Sequence, residues 1–168
     1  ALAIKNGLKT TDVFNQYVDI ATLGTIADVV PLLGENRVIV DKGLKILHNP
    51  KRIGIRAIME VAGVLDKPLN ASTIAFSIAP RLNAAGRLGS AATAVELLLT
   101  NDESRARELA LLLDTENKER QQTERQIFDE ALELIAKDPN FEKKKVIVLA
   151  QENWHQGVIG IVASRLCD

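Results

Sequence analysis

The chain has 168 residues, 46% hydrophobic and 26% charged, with a formal net charge of −1, which suits one ordinary domain or parts of two. So even a balance excludes a global basic field for nucleic acid and leaves only local patches to contact one. The single Cys167 excludes an intramolecular disulfide, and no CxxC or Cys/His cluster offers a zinc site. Neither a secretory leader nor a bilayer-length apolar run is visible, so the expectation is a soluble chain with no membrane partner in a reducing cytoplasm. Position 1 is alanine and the sequence breaks off inside an apolar run, so the chain is expected to be an excerpt of a longer protein.

Residues 19–30, DIATLGTIADVV, read as a mostly apolar helix running into Pro31. Proline disfavours α geometry at the residue before it, which predicts an end near Val29. In ENRVIVDKGLKILHN (35–49), Val38, Val40, Leu44 and Leu47 recur at helical spacing, and Asn49-Pro50 is a stop. IGIRAIMEVAGV (53–64) is a short amphipathic helix ending near Gly63. NASTIAFSIAPRLNAAGRLGSA (70–91) begins helical with Ser72 as a candidate N-cap, and Pro80 and Gly86 are expected to break it into a loop. AATAVELLL (91–99) is helical again.

The character changes from Asn101. Capping and acidic residues open a helix that runs to Asp138-Pro139, as the helix dipole and proline geometry require. Such a helix would be on the order of 50 Å long. Leu109, Leu112 and Leu113 form one apolar patch and Ile127, Phe128, Ala131, Leu132 and Ile135 another; between them ENKERQQTER is polar all round. A helix apolar at both ends and wet in its middle reads as a strut between two cores. Beyond it, KKKVIVLA (143–150) suits a buried parallel strand, and GVIGIVASRL (157–166) a following helix, together the opening of an α/β unit.

Three places could carry chemistry. A helix N-terminus offers unpaired N–H groups, so the loop before Gly157 is a natural anion site: Gly157 admits a close phosphate, His155 and Gln156 can donate, and Trp154 can stack on a base. The alternative is that Trp154 packs in a core and Gly157 relieves crowding. In APRLNAAGRLGSA, Arg81 and Arg87 lie among small residues with Asn83 between them, and guanidinium forks match phosphate oxygens; equally, they could tie helix ends by bonding carbonyls. Asp28 sits among Ile, Ala and Val, where a buried carboxylate needs a partner, either a divalent cation or a backbone cap before Pro31. Asp19 is a second acid on that helix or its N-cap, and His48 reads as a helix-end residue.

Together these strings resemble the RecJ-type single-strand-specific exonucleases of the DHH phosphoesterase superfamily. DIATLGTIADVVPLLGENRVIV, APRLNAAGRLGSAATAVELLL, LDTENKERQQTE and WHQGVIGIVASRL carry the resemblance, in the family's order and over nearly the whole chain. It implies an α/β fold class: residues 1–100 as the helix-rich C-terminal part of a DHH catalytic domain, 101–138 as the interdomain connecting helix, and 139–168 as the start of an α/β DHH-associated substrate-binding domain. It implies a parent that degrades single-stranded DNA from the 5′ end with two Mn²⁺ or Mg²⁺ ions, in DNA repair and recombination, with a helicase and a single-strand-binding protein as candidate partners. Asp28 matches the aspartate of the fourth catalytic motif, a metal ligand. Arg81, Asn83 and Arg87 match an arginine-asparagine motif beside the active site, and Trp154, His155, Gly157 and Ser164 a segment facing the substrate.

The motifs that supply most metal ligands are absent from this sequence, so the chain alone is expected to be inactive. Two other readings compete: a DHH phosphodiesterase for short oligonucleotides or cyclic dinucleotides, and a non-catalytic replication scaffold.

Overall fold

The computed structural model describes residues 5–141 and 144–167. In chain order the helices are α1 (Thr10–Ala27), α2 (Gly34–Leu47), α3 (Ile53–Val61), α4 (Ala71–Thr73), a π-helical segment (Ile74–Ile78), α5 (Ala79–Leu88), α6 (Ala92–Leu99), α7 (Glu103–Ala136) and α8 (Gln156–Cys167). Two apolar clusters are separate in space. The larger gathers Leu23, Ile26, Val40, Leu47, Ile55, Ile58, Met59, Ile74, Ile78, Leu97 and the first half of α7 through Ala106, Leu109, Ala110 and Leu113. The smaller joins Ile127 and Ala131 of α7 to Val158 and Val162 of α8, with Leu88, Leu149 and Trp154 packed against it. Helix α7, 34 residues and so about 51 Å long, runs from one to the other as a strut.

Local chemistry accounts for most of the boundaries. Helix α1 ends two residues earlier than Pro31 alone predicts, at Ala27, because Val29 has left-handed backbone at φ 54°. Gly63, φ 67°, follows α3 where a left-handed residue closes a helix without steric cost. The Asp102 carboxylate caps α7 by accepting from the Arg105 N–H at 2.9 Å. Backbone-close crossings then set the larger cluster. A Cβ on Gly43 would lie 1.7 Å from Thr22 Oγ1, and one on Gly54 would lie 1.7 Å from the Leu97 carbonyl oxygen. Helices α1 and α2, and likewise α3 and α6, therefore meet at separations only glycine permits.

Four expectations are corrected here. Asn70, not Ser72, caps α4: its side chain accepts from the Thr73 N–H at 2.8 Å. Pro80 and Gly86 do not open a loop, since both lie within α5. Pro80 falls in the first turn of that helix, directly after the widened π segment, a position where proline is tolerated. Asp19 is not an N-cap but the second acid on that helix, and it is paired. Buried in the middle of α1, it accepts from Arg52 Nε at 2.8 Å, while Arg52 Nη2 donates to the Gln16 carbonyl at 2.7 Å, which ties α1 to the start of α3.

The fourth concerns the α/β expectation. The fold is helix-rich, and the described residues contain no strand. Residues 146–150 run irregularly, with Val146 70% and Val148 85% exposed. A parallel strand gains its hydrogen bonds from neighbouring strands, and the segments beside this one among the described residues are helices. His48, in contrast, is an exposed helix-end residue following α2, as read from the sequence.

The tight crossings yield a stability prediction. Gly54→Ala should destabilise the chain by about 1–3 kcal/mol, because the methyl group meets rigid backbone. Gly24→Ala, in an open stretch of α1, should be neutral or stabilising by up to about 1 kcal/mol. Urea unfolding followed by far-UV circular dichroism separates the two, and equal midpoints would refute the packing account.

Candidate nucleic-acid interface

Asp28 stands at the C-terminal end of α1, exposed, with its N–H bonded to the Gly24 carbonyl at 3.0 Å. Its carboxylate has no hydrogen bond or ion pair among the described residues. Burial among Ile, Ala and Val is thus not what this acid faces. The turn after α1 lifts it off the apolar face, and the next residue holds the strain: Val29 is β-branched, 85% exposed and at φ 54°. Left-handed backbone at a valine is an outlier that something else must support, and such outliers gather at functional sites.

Arg81, Asn83 and Arg87 share α5, but their surroundings differ. Arg81 is inward: Nε donates to Asp114 Oδ1 at 2.8 Å and Nη1 to the Ser77 carbonyl at 2.5 Å, with the two charged side chains only 18% and 10% exposed. It fastens α5 to the strut. Asn83 and Arg87 are exposed. Arg87 Nη1 donates to the Gly157 carbonyl at 3.2 Å, across 70 residues of sequence.

The C-terminal candidates gather at the start of α8. Trp154 is half-buried against the smaller cluster, its indole N–H donating to Glu130 Oε2 at 2.7 Å. His155 is exposed, and its Nδ1 accepts from the Gly157 N–H at 3.1 Å. That acceptor role places the neutral ring's proton on Nε2, as a donor. Gly157 lies against α5, where a Cβ would sit 2.2 Å from the Arg87 carbonyl oxygen. Ser164 is exposed on α8. The structure therefore joins Arg87 to Gly157, holds Arg81 and Trp154 in internal bonds, and links Asp28 to none of them by hydrogen bond or ion pair.

A polar group inside the strut escapes the sequence reading. Asn117 and Arg120 are buried in the stretch expected to be wet, and Asp114 is buried just before it. Arg120 donates to Asn117 Oδ1 and, through Nη1, to Glu124 Oε2 at 2.7 Å; Glu124 Oε1 accepts from Arg165 of α8 at 2.8 Å. The Arg165 guanidinium also lies 4.4 Å from the centre of the Phe128 ring. The signal is present in the spacing. At 100° per residue, Ala106, Ala110, Leu113, Asn117, Arg120, Glu124, Ile127 and Ala131 fall within an arc of about 100°. The polar middle continues the apolar face.

Charges along this face are tuned in opposite senses. Burial alone would raise the Asp114 carboxyl, but its bond to Lys118 and the Arg81 charge outweigh that and hold it below the usual carboxylate range. Glu116 goes the other way, pushed up by burial and then by Glu119; its Oε2 is buried with no partner. Glu130 is lowered by its bonds from Gln126 and Trp154.

A two-ion centre needs several oxygen or nitrogen ligands around each hard cation. No group of three or more His, Cys, Asp or Glu suited to a metal exists among the described residues. Asp28 offers one carboxylate, so the residues described here do not by themselves fit the pair.

No family model matches the chain. Curated proteins do. The single-stranded-DNA-specific exonuclease RecJ of Bacillus subtilis is 42% identical over 154 residues, 92% of this chain, and that of Haemophilus influenzae 45% identical over 158 residues, also 92%. Among solved structures, RecJ of Thermus thermophilus in complex with Mg²⁺ matches 98% of this chain with a TM-score of 0.84 at 40% identity. A RecJ exonuclease bound to manganese matches 98% with a TM-score of 0.82 at 40% identity. In sequence and in fold, the chain resembles RecJ-type exonucleases. It spans 19% of the Bacillus RecJ, 28% of the Haemophilus RecJ and 25% of the Thermus RecJ chain.

Glu116 provides a test of the strut's electrostatics. A carboxyl whose folded pKa is raised costs nothing below its unfolded value of 4.5 and destabilises as pH rises through and beyond that value. Glu116→Gln should therefore stabilise the chain at pH 7 by about 1 kcal/mol, with the gain gone near pH 4. Thermal melts at the two pH values would measure it, and a gain that grows on acidification would contradict the assignment.

Proposed function

We propose that this chain is a segment of a RecJ-type 5′-to-3′ exonuclease acting on single-stranded DNA in repair and recombination, in the DHH phosphoesterase superfamily. The observation that carries the reading is a 40–45% identity spread over nine-tenths of the chain together with a shared fold. On this reading residues 1–100 belong to the catalytic domain, 101–138 to the connecting helix and 139–168 to the substrate-binding domain, in a cytoplasmic protein with helicase and single-strand-binding protein as partners.

The roles then divide by exposure. Asp28, lifted into solvent beside the strained Val29, contributes a single ligand to the parent's Mn²⁺ or Mg²⁺ centre, with the remaining ligands supplied by parts of the parent outside this chain. Arg87 and Asn83 face outward from α5 and suit phosphate oxygens, which a guanidinium fork meets in pairs. Arg81 supports them from beneath through Asp114. His155 Nε2 at the start of α8 and the exposed Ser164 nearer its end offer further donors, and Trp154 holds the first turn in place through Glu130.

Three measurements bear on this. The purified chain should leave 5′-labelled single-stranded DNA intact with manganese; trimming that an Asp28→Ala control abolishes would refute the incomplete centre. In the parent, Asp28→Ala should lower kcat by at least about 10²-fold, the scale of one preorganised charge-stabilising group. Arg87→Ala should flatten the log–log salt dependence of single-strand binding by about 0.7, one phosphate's worth, whereas Arg81→Ala should lower the melting temperature and leave that slope unchanged. Equal slopes for wild type and Arg87→Ala would remove Arg87 from the interface.

A further inference from the structure

The two clusters are joined twice, and the second joint involves no covalent connection. The strut links them through the chain. Near its middle, the C-terminal end of α5 and the first turn of α8 meet directly. Gly157 packs onto the Arg87 peptide, where a Cβ would lie 2.2 Å from the carbonyl oxygen, 3.0 Å from the carbonyl carbon and 3.2 Å from Cα. The Arg87 side chain reaches over the same contact, its Nη1 donating to the Gly157 carbonyl at 3.2 Å. Leu88 packs into the smaller cluster although α5 otherwise belongs with the larger one. Arg81–Asp114 fixes α5 on the strut; Trp154–Glu130 and Arg165–Glu124 fix α8 on it.

Three rods pinned pairwise make a triangle, and a triangle does not hinge. With the strut alone, the clusters could swing about its polar middle, since a single long helix bends over tens of ångströms. The α5–α8 contact removes that freedom. It rests on backbone against backbone, so no rotamer change can absorb an added methyl group. Ordinary contact begins at 3.4 Å, so a Cβ at position 157 forces the two backbones apart by about 1.2 Å.

We propose that Gly157, with Arg87, is a positioning residue that sets the angle between the two lobes, one built on each apolar cluster, and thereby the placing of the candidate DNA-contacting residues of α5 and α8 in the parent. The second half of this statement rests on the exonuclease reading; the first does not. Gly157 is on this account reserved for a neighbouring peptide rather than for a phosphate, although it sits at a helix N-terminus.

The test has two arms. In the first, spin labels on Cys167 and on the thiol of a His48→Cys variant, both exposed helix-end positions far apart in sequence, report the inter-lobe distance in this chain without DNA. The labelled His48→Cys chain with Gly157 intact should give one narrow distribution. Gly157→Ala should shift and broaden it while far-UV helix content and Trp154 fluorescence stay unchanged. Should Gly157→Ala fail to fold, Arg87→Met removes the side-chain tie without a clash and should broaden the distribution to a lesser degree. An unaltered distribution in the folded variant overturns the proposal.

In the second arm, Gly157→Ala in the parent should lower kcat/KM on single-stranded DNA by about 10²-fold, the scale of a 1 Å misplacement, and Gly157→Ser should do the same. Unchanged kcat/KM beside an altered distance distribution overturns the link to DNA placement and keeps the lock. A wild-type parent that does not cut single-stranded DNA defeats the exonuclease reading, while the label experiment still decides the lock.

Discussion

Helix α7 closes both clusters with one continuous face. Ala106, Ala110 and Leu113 close the larger cluster, Ile127 and Ala131 close the smaller, and Asn117, Arg120 and Glu124 occupy the same face between them. A change from apolar to charged side chains without a change of face is possible only because each buried charge finds an opposite one. Arg120 lies between Asn117 and Glu124, Glu124 between Arg120 and Arg165, Asp114 between Arg81 and Lys118. Removing one member leaves its neighbour desolvated and alone, which costs more than the pair itself contributes. Glu116 is the exception, and its raised pKa is the physical trace of a carboxyl with nobody opposite.

Much of the helical framework is legible because its boundaries are written in glycine, proline and capping residues. Gly63, Asp102 and the Asp138-Pro139 stop lie where local sterics and dipoles demand, and the strut joining two cores follows from its apolar ends. What stays hidden is long-range. Asp19 resembles a cap because its partner Arg52 lies 33 residues further on. Pro80 resembles a breaker because sequence periodicity assumes 3.6 residues per turn, and the π segment before it does not obey that period. The valines of KVIVLA suggest burial, yet a strand's burial is conferred by neighbours, which a single segment cannot announce.

The candidate site shows the same division. Residue types suited to phosphate or metal can be picked out at Asp28, Arg81, Asn83, Arg87 and His155, but their availability cannot. Arg81 and Arg87 are six residues apart and alike on paper, yet one is turned inward to Asp114 and the other outward. Gly157 suits a ligand by type, but a peptide already occupies that space. Resemblance to a family finds such residues without telling which of them are free to act.

The π segment has a consequence of its own. One surplus residue in a helix turns everything after it by roughly 100°. Ile74 and Ile78, the two ends of the widened segment, face the larger cluster, and Arg81, beyond it, reaches the strut. Had the helix kept a regular pitch through this stretch, every side chain from Ala79 onward would face about 100° away from its present direction. The widened turn works as a phase shifter, setting the direction in which the rest of the rod presents Arg81 to the strut and Arg87 to α8.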